Sequence, residues 1–299
     1  MERINKVIEI SKKVVQNLLI RDLLICLLCK HILLEAPLAK TLSVATLAET
    51  VSLDFNRIQF TPDLLPSDLI GNRIYNPDKK DFTTKKPIFS NLILADEINR
   101  APSKVQSALL EAMAEKQVTI DETFKLDKQF MVLATQNPLE QDGTYSLPEA
   151  QLDRFLLKTI IDYPTEKEEL EIMKKYSVDE VLKVEKKLKK TDLTKLQDEI
   201  SKVHVDDNIF NYVKDLTFCS RNDKEIKEFL LYASPRASIA LIKVIKALAF
   251  LERDFVIPED VKEMIKPIFR HRIILSYEAI AEVTPDMVIE KILNKVEIK

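Results

Sequence analysis

The chain has 299 residues, 46% hydrophobic and 31% charged, with a net charge of -3 at pH 7. That balance describes a globular chain long enough for two domains and a sizeable core, and it excludes a disordered chain or a broadly basic nucleic-acid surface. No stretch approaches the about 18 consecutive apolar residues of a membrane span.

The opening "MERINKVIEISKKVV" alternates charged with apolar residues and lacks a signal-peptide core, so a cytoplasmic protein is expected. Residues 1 to about 30 read as helical. Cys26 and Cys29 form a C-x-x-C, but the stretch around them is apolar and offers no second ligand pair, so core cysteines are expected. With Cys219 they make three cysteines, which is no disulfide framework. Short apolar runs then recur: "HILLE" (31–35), "RIQF" (57–60), "NLILADE" (91–97), "FMVLATQN" (130–137) and "LLKTIID" (156–162). Helix-like stretches lie between them, notably "KTLSVATLAETV" and "SKVQSALLEAMAEKQ", with Ser103 suited to the N-cap of the second. Strands alternating with helices predict a parallel sheet covered on both faces. Two segments, 74–89 and 118–130, read as β-hairpins.

Beyond about residue 165 the strand pattern stops, and the rest reads as all-helical, with Pro258 in a first helical turn. The expected division is an α/β core over 1–165, connecting helices over 166–200 and a helical domain over 201–299. The cluster "KKLKK" (186–190) sits beside acidic residues and reads as a solvated helix face.

Asp96-Glu97 is the sharpest chemical signal, because it ends an apolar strand, and open parallel sheets bind ligands at their carboxyl edge. A carboxylate there can hold Mg²⁺ while its neighbour polarises water. The next strand ends in Asn137, which could orient the same water or a γ-phosphate. Arg154 follows in "LPEAQLDRF" and Arg236 in "ASPRAS", while Ala39-Lys40-Thr41 comes earlier, after the first strand. A cradle, a metal carboxylate, a water-orienting amide and arginines are the parts that phosphoryl transfer from a nucleotide requires.

"RIQFTPDLLPSDLIG", "LADEINRAPSKVQSALLEAM", "VLATQNPLEQDGTYSLPEAQLDRF" and "ASPRA" together resemble the MoxR family of AAA+ ATPases. The resemblance runs from about residue 30 to 165 and more thinly to the end. It implies a three-layer αβα AAA+ core with a parallel sheet, a helical lid, ATP and Mg²⁺ as cofactors, and a ring of subunits, six in number. By motif, Ala39, Lys40 and Thr41 match the phosphate loop, with Thr41 on the metal side. Asp96 and Glu97 match the Walker B pair, one on the metal and one activating water. Asn137 matches sensor 1, Arg154 the arginine finger that reaches a neighbouring subunit, and Arg236 sensor 2. The hairpin at 74–89 matches an insertion of this branch. The resemblance also implies chaperone-like maturation of client complexes and partners containing a von Willebrand factor A domain. A nucleic-acid motor is disfavoured by the acidic balance.

Glycine is the anomaly: at the usual 7% a chain of this length would carry about 21, and this one has 2. The phosphate-loop pattern is G-x-x-x-x-G-K-S/T, whereas Glu35-Ala36-Pro37-Leu38-Ala39-Lys40-Thr41 is short of the family's form. A glycine after Glu35 and another after Pro37 would restore it, and "KKPIF", "YASPRA" and "VVQN" are repaired the same way. A phosphate loop needs inward-turned backbone N–H groups, which glycine permits and Pro37 lacks. We therefore read the written chain as missing glycines that its gene encodes, one route being a reassigned codon read as nothing. Taken literally, the chain is instead a degenerate AAA+ subunit that scaffolds or regulates a ring without hydrolysis. Intact-mass measurement on protein from its native source is expected to exceed 34.5 kDa; a mass equal to that value overturns the missing-glycine reading.

Overall fold

The computed structural model describes residues 17–35, 51–71, 74–76, 81–83, 87–119, 122–137, 144–161, 165–176 and 188–298. The chain divides into two compact units, Met1–Leu147 with Thr159–Thr194, and Pro148–Lys158 with Lys195–Lys299. The short segment Pro148–Lys158 thus groups with the C-terminal unit, where a division drawn at residue 165 would not put it.

The first unit runs in order through α1 (Asn17–Cys29), β1 (Ile32–Glu35), β2 (Val51–Ser52), β3 (Phe55–Gln59), α2 (Pro66–Ile70), β4 (Ile74–Asn76), β5 (Asp81–Thr83), β6 (Leu92–Asp96), α3 (Ser103–Glu115), β7 (Gln117–Thr119), β8 (Thr123–Lys125) and β9 (Met131–Gln136). Next along the chain come α4 (Glu149–Leu152), which belongs to the second unit, β10 (Leu157–Ile160), α5 (Glu166–Tyr176), β11 (Leu188–Lys189) and α6 (Lys190–Ser201), with β10 and α6 each crossing a boundary of the division. Five strands form one sheet in the order β10-β1-β9-β6-β3. The pairs β1–β9, β9–β6 and β6–β3 are parallel, so their carboxyl ends meet along one edge. β6 and β9 are buried along both faces, as their mainly apolar runs require, and Leu33 of β1, Leu94 and Leu133 are wholly buried. β4–β5 and β7–β8 are antiparallel pairs within the two segments expected to be hairpins.

Three local expectations change. The N-cap of α3 is Pro102, with no side-chain cap, and Ser103 is the first helical residue. In the basic cluster, Leu188 and Lys189 form β11 instead of a helix, Lys190 opens α6 and pairs with Asp127, and residues 186 and 187 lie outside the described residues. The helix-like stretch that starts at Lys40 lies outside the described residues up to Thr50, and its final Val51 is in β2, paired with β11. Cys26 is buried, and no group of three or more potential metal ligands occurs among the described residues. No helix among the described residues is long and apolar enough to cross a membrane.

The second unit contains α7 (Asp207–Asn222), α8 (Lys224–Phe229), β12 (Leu230–Ala233), α9 (Arg236–Glu252), α10 (Pro258–Phe269), β13 (Ile273–Leu275) and α11 (Pro285–Lys295). Asp206 caps α7 by accepting from the Asn208 N–H, and Pro258 opens α10 as expected. α9 packs on α10, and Leu241, Val244 and Leu248 of the one helix and Val261, Ile265 and Ile268 of the other are wholly buried. The unit is helical but also carries one short antiparallel pair, β12–β13, whose register shifts between Leu230 and Tyr232. Strands this short leave too few alternations to stand out from the surrounding helical pattern.

The glycine deficit has a structural counterpart. Lys116 (φ 53) ends α3, Asp254 (φ 73) follows α9, and Lys30 (φ 80) and His31 (φ 46) precede β1, all in the left-handed region. Helices commonly end in a left-handed glycine, and a Cβ there costs on the order of 1 kcal/mol.

His31 Nδ1 accepts from the Val132 N–H (3.1 Å), and its ring packs edge-on to Phe130. Desolvation, with Lys30 and Lys116 nearby, lowers its pKa to about 3. His271 is lowered in the same sense by burial, with Arg272 beside it. The unfolded chain therefore binds more protons than the folded one between pH 6.5 and about 3. Stability should be full above pH 6.5 and fall as pH drops, by up to about 1.4 kcal/mol per pH unit for each histidine. Urea unfolding between pH 7.5 and 5.5 should show this slope, and His31→Asn should flatten it.

Candidate active site

β3, β6 and β9 end side by side, and their register aligns Gln59 with Asp96 and Ala95 with Ala134. Asp96 is buried, which a carboxylate tolerates only with hydrogen-bonding partners. Its Oδ1 accepts from the wholly buried Thr135 hydroxyl (2.7 Å). Its Oδ2 accepts from Arg57, at 2.6 Å from Nη2 and 3.2 Å from Nε. Thr135 Oγ1 also accepts from the Glu97 N–H (2.9 Å), so one hydroxyl ties the two acids to the neighbouring strand.

Glu97 has φ 56, a left-handed conformation that side-chained residues adopt at a cost, and such strain clusters at functional sites. The turn directs the carboxylate past the strand tip, where Oε2 accepts from Gln59 Nε2 (2.8 Å) and pairs with Arg100 Nε (3.1 Å). Beneath them the buried Gln106 amide donates to the carbonyls of Ile98, Ala101 and Tyr145. Asn137 follows β9 at the same edge. Asp96, Glu97 and Asn137 thus share one edge of the sheet. Ala39, Lys40 and Thr41 lie outside the described residues.

Arg154 and Arg236 belong to the second unit. Arg154 is exposed on the turn after α4. Arg236 begins α9, and its Nη1 donates to Asp153 Oδ2 (3.2 Å). The other oxygen of Asp153 accepts from Arg272 Nε (2.8 Å) and Ser234 Oγ (2.9 Å).

Residues 31–157 match the ATPase family associated with various cellular activities (AAA), and residues 227–292 match the AAA lid domain. Chaperone MoxR1 of Mycobacterium tuberculosis is 43% identical over 304 residues, covering 97% of this chain and 80% of the relative. Protein YeaC of Bacillus subtilis is 41% identical, covering 100% of this chain and 93% of its own. A crystal structure of a candidate ATPase from Cytophaga hutchinsonii superposes with a TM-score of 0.92 at 51% identity, covering 100% of this chain and 95% of that one. The chain belongs to the MoxR family of AAA+ ATPases.

For this MoxR-family chain, sequence reading found the acids but missed their holders. Arg57 and Gln59 stand two apart on β3, so the period of the strand puts both on one face, and that alternation was the available signal. Thr135 looked like one more residue of a buried strand. Asp153 and Arg272, 119 positions apart, carried no local signal at all.

The donor set suits a hard cation. Asp96 offers carboxylate oxygen of the kind that holds Mg²⁺, and in this structure Oδ1 accepts from Thr135 and Oδ2 from Arg57.

Thr135→Val should leave Asp96 Oδ1 and the Glu97 N–H without their shared partner. A loss of about 1–3 kcal/mol is expected in urea unfolding, with Thr135→Ser close to wild type.

Proposed function

We propose that this chain hydrolyses ATP with Mg²⁺ and uses the turnover for chaperone-like remodelling and maturation of partner protein complexes. The observation that carries this reading is the arrangement of Asp96 and Glu97. One carboxylate is buried and fixed at the tip of a central strand, and the next is turned outward by a left-handed residue. Family membership supplies the ATPase class.

In this reading Lys40 and the backbone around Ala39 cradle the phosphates, and Asp96 with the Thr41 hydroxyl would hold the metal. Mg²⁺ bound there would neutralise charge on the β- and γ-phosphate oxygens. Glu97 takes a proton from the attacking water while Asn137 orients it. The water oxygen bonds to the γ-phosphorus, the bond to the β–γ bridging oxygen breaks, and ADP leaves. Arg236 in the same subunit and Arg154 from a neighbour would stabilise the charge on the transferring phosphoryl group. The neighbour's role calls for a homo-oligomeric ring, proposed as a hexamer in the cytoplasm. Partners with a von Willebrand factor A domain complete the proposal.

Gln59 and Arg100 both engage Glu97 Oε2, which leaves Oε1 as the oxygen that would accept the proton. The test is Glu97→Gln in protein made from its own gene. ATP binding by calorimetry should persist, with turnover reduced by about 10²–10⁴-fold, the usual contribution of a general base. Turnover equal to wild type removes Glu97 from this role.

A further inference from the structure

Three consecutive residues after α10 reach the same short segment of chain. Arg270 Nη1 donates to Lys158 O (3.3 Å). His271, neutral and buried, donates from Nε2 to Phe155 O (3.1 Å), since a carbonyl can only accept. Arg272, whose side chain is 3% exposed, commits its guanidinium to this segment and to the end of the preceding helix α10. Nη2 reaches Phe155 O (2.5 Å) and Asp153 O (3.4 Å), and Nη1 reaches Leu156 O (3.1 Å) and Ile268 O (2.7 Å). Nε completes the set on Asp153 Oδ1 (2.8 Å). Phe155 is wholly buried beside these bonds. The segment so clamped is the one that carries Arg154.

Asp153 is the shared acceptor. Its two arginine partners differ in kind: Arg272 is 3% exposed and saturated with backbone carbonyls, whereas Arg236 is 67% exposed and holds Asp153 by one bond of 3.2 Å. One partner is built in and the other can leave. The node lines a cavity of about 640 Å³ together with Glu149, Ser234 and His271, and Arg236 sits on its wall. A phosphate offers Arg236 a doubly charged, bidentate acceptor in place of the single oxygen of a carboxylate already shared with Arg272.

We propose that Asp153, fixed by Arg272, is a positioning residue that couples the two arginines of the ATPase. It sets the turn that presents Arg154, and it retains Arg236 until a nucleotide phosphate takes its place. This rests on the ATP-hydrolysing reading and adds to it a nucleotide-dependent exchange at Arg236.

The test is Asp153→Asn in the full chain, with wild type and Arg154→Ala alongside. Removing the carboxylate charge should free Arg236, so ATP should bind about two- to fivefold tighter by calorimetry, the scale of an exposed ion pair. That gain should vanish when Arg236→Ala is added. Turnover should fall by roughly ten- to hundredfold as the Arg154 turn loosens. Because Arg154 acts on the neighbour, mixing with Lys40→Ala subunits should restore turnover to Asp153→Asn as it does to Arg154→Ala. Arg272→Lys, which keeps the charge but loses the fork, should reproduce the turnover defect and its rescue. A merely structural role predicts weaker binding and no rescue on mixing, and that result overturns the proposal. An active wild type with an indistinguishable Asp153→Asn overturns it alone. A wild type that neither binds nor hydrolyses ATP overturns the ATPase reading with it.

Discussion

A carboxylate buried at the tip of a central strand must be compensated, and the edge of the first unit is organised around that requirement. Leaving Asp96 without partners would cost several kcal/mol, so a neighbouring strand contributes a hydroxyl and the other neighbour an arginine. Once Thr135 is committed to Asp96, its oxygen is also placed to receive the Glu97 N–H. The left-handed turn at Glu97 is held by that bond. The orientation of the second acid therefore follows from the burial of the first.

The same economy of acceptors governs the second unit, with the charges reversed. Arg272 is a buried cation, and it is tolerated because carbonyls and one carboxylate surround its five N–H groups. The saturated partner makes a rigid point in the fold. Asp153 retains one oxygen for an arginine at the surface, where ion pairs are weak and exchange readily. Rigid and exchangeable contacts thus meet on a single side chain.

Backbone conformation adds a constraint of its own. Left-handed positions at Lys30, His31, Lys116 and Asp254 fall at the ends of helices or at the start of a strand. These are places where the chain must reverse or stop, and glycine would do so without steric penalty. With 2 glycines in the chain, the turns load that strain onto side-chained residues. Among the described residues, the strained position with the acid proposed as the general base is Glu97, held by Thr135, Gln59 and Arg100.

Local pattern was enough for the five strands of the sheet, because a parallel sheet covered on both faces demands unbroken apolar runs, and "NLILADE" and "FMVLATQN" supply them. It also put Asp96, Glu97 and Asn137 at strand ends, and strand ends in such a sheet share one edge. Ser103 was misjudged as a cap because Pro102 already sets an extended φ and ψ before the helix. The pair β12–β13 was missed because it is too short to show a period. What the sequence by itself determined was the order along the chain of the sheet strands and main helices, the family and the residues able to carry charge. Only the tertiary structure decided which charges meet. Arg57 reaches Asp96 across a strand pairing, and Arg272 reaches Asp153 across 119 positions of chain. Such contacts depend on the packing of distant elements, and no local period encodes them.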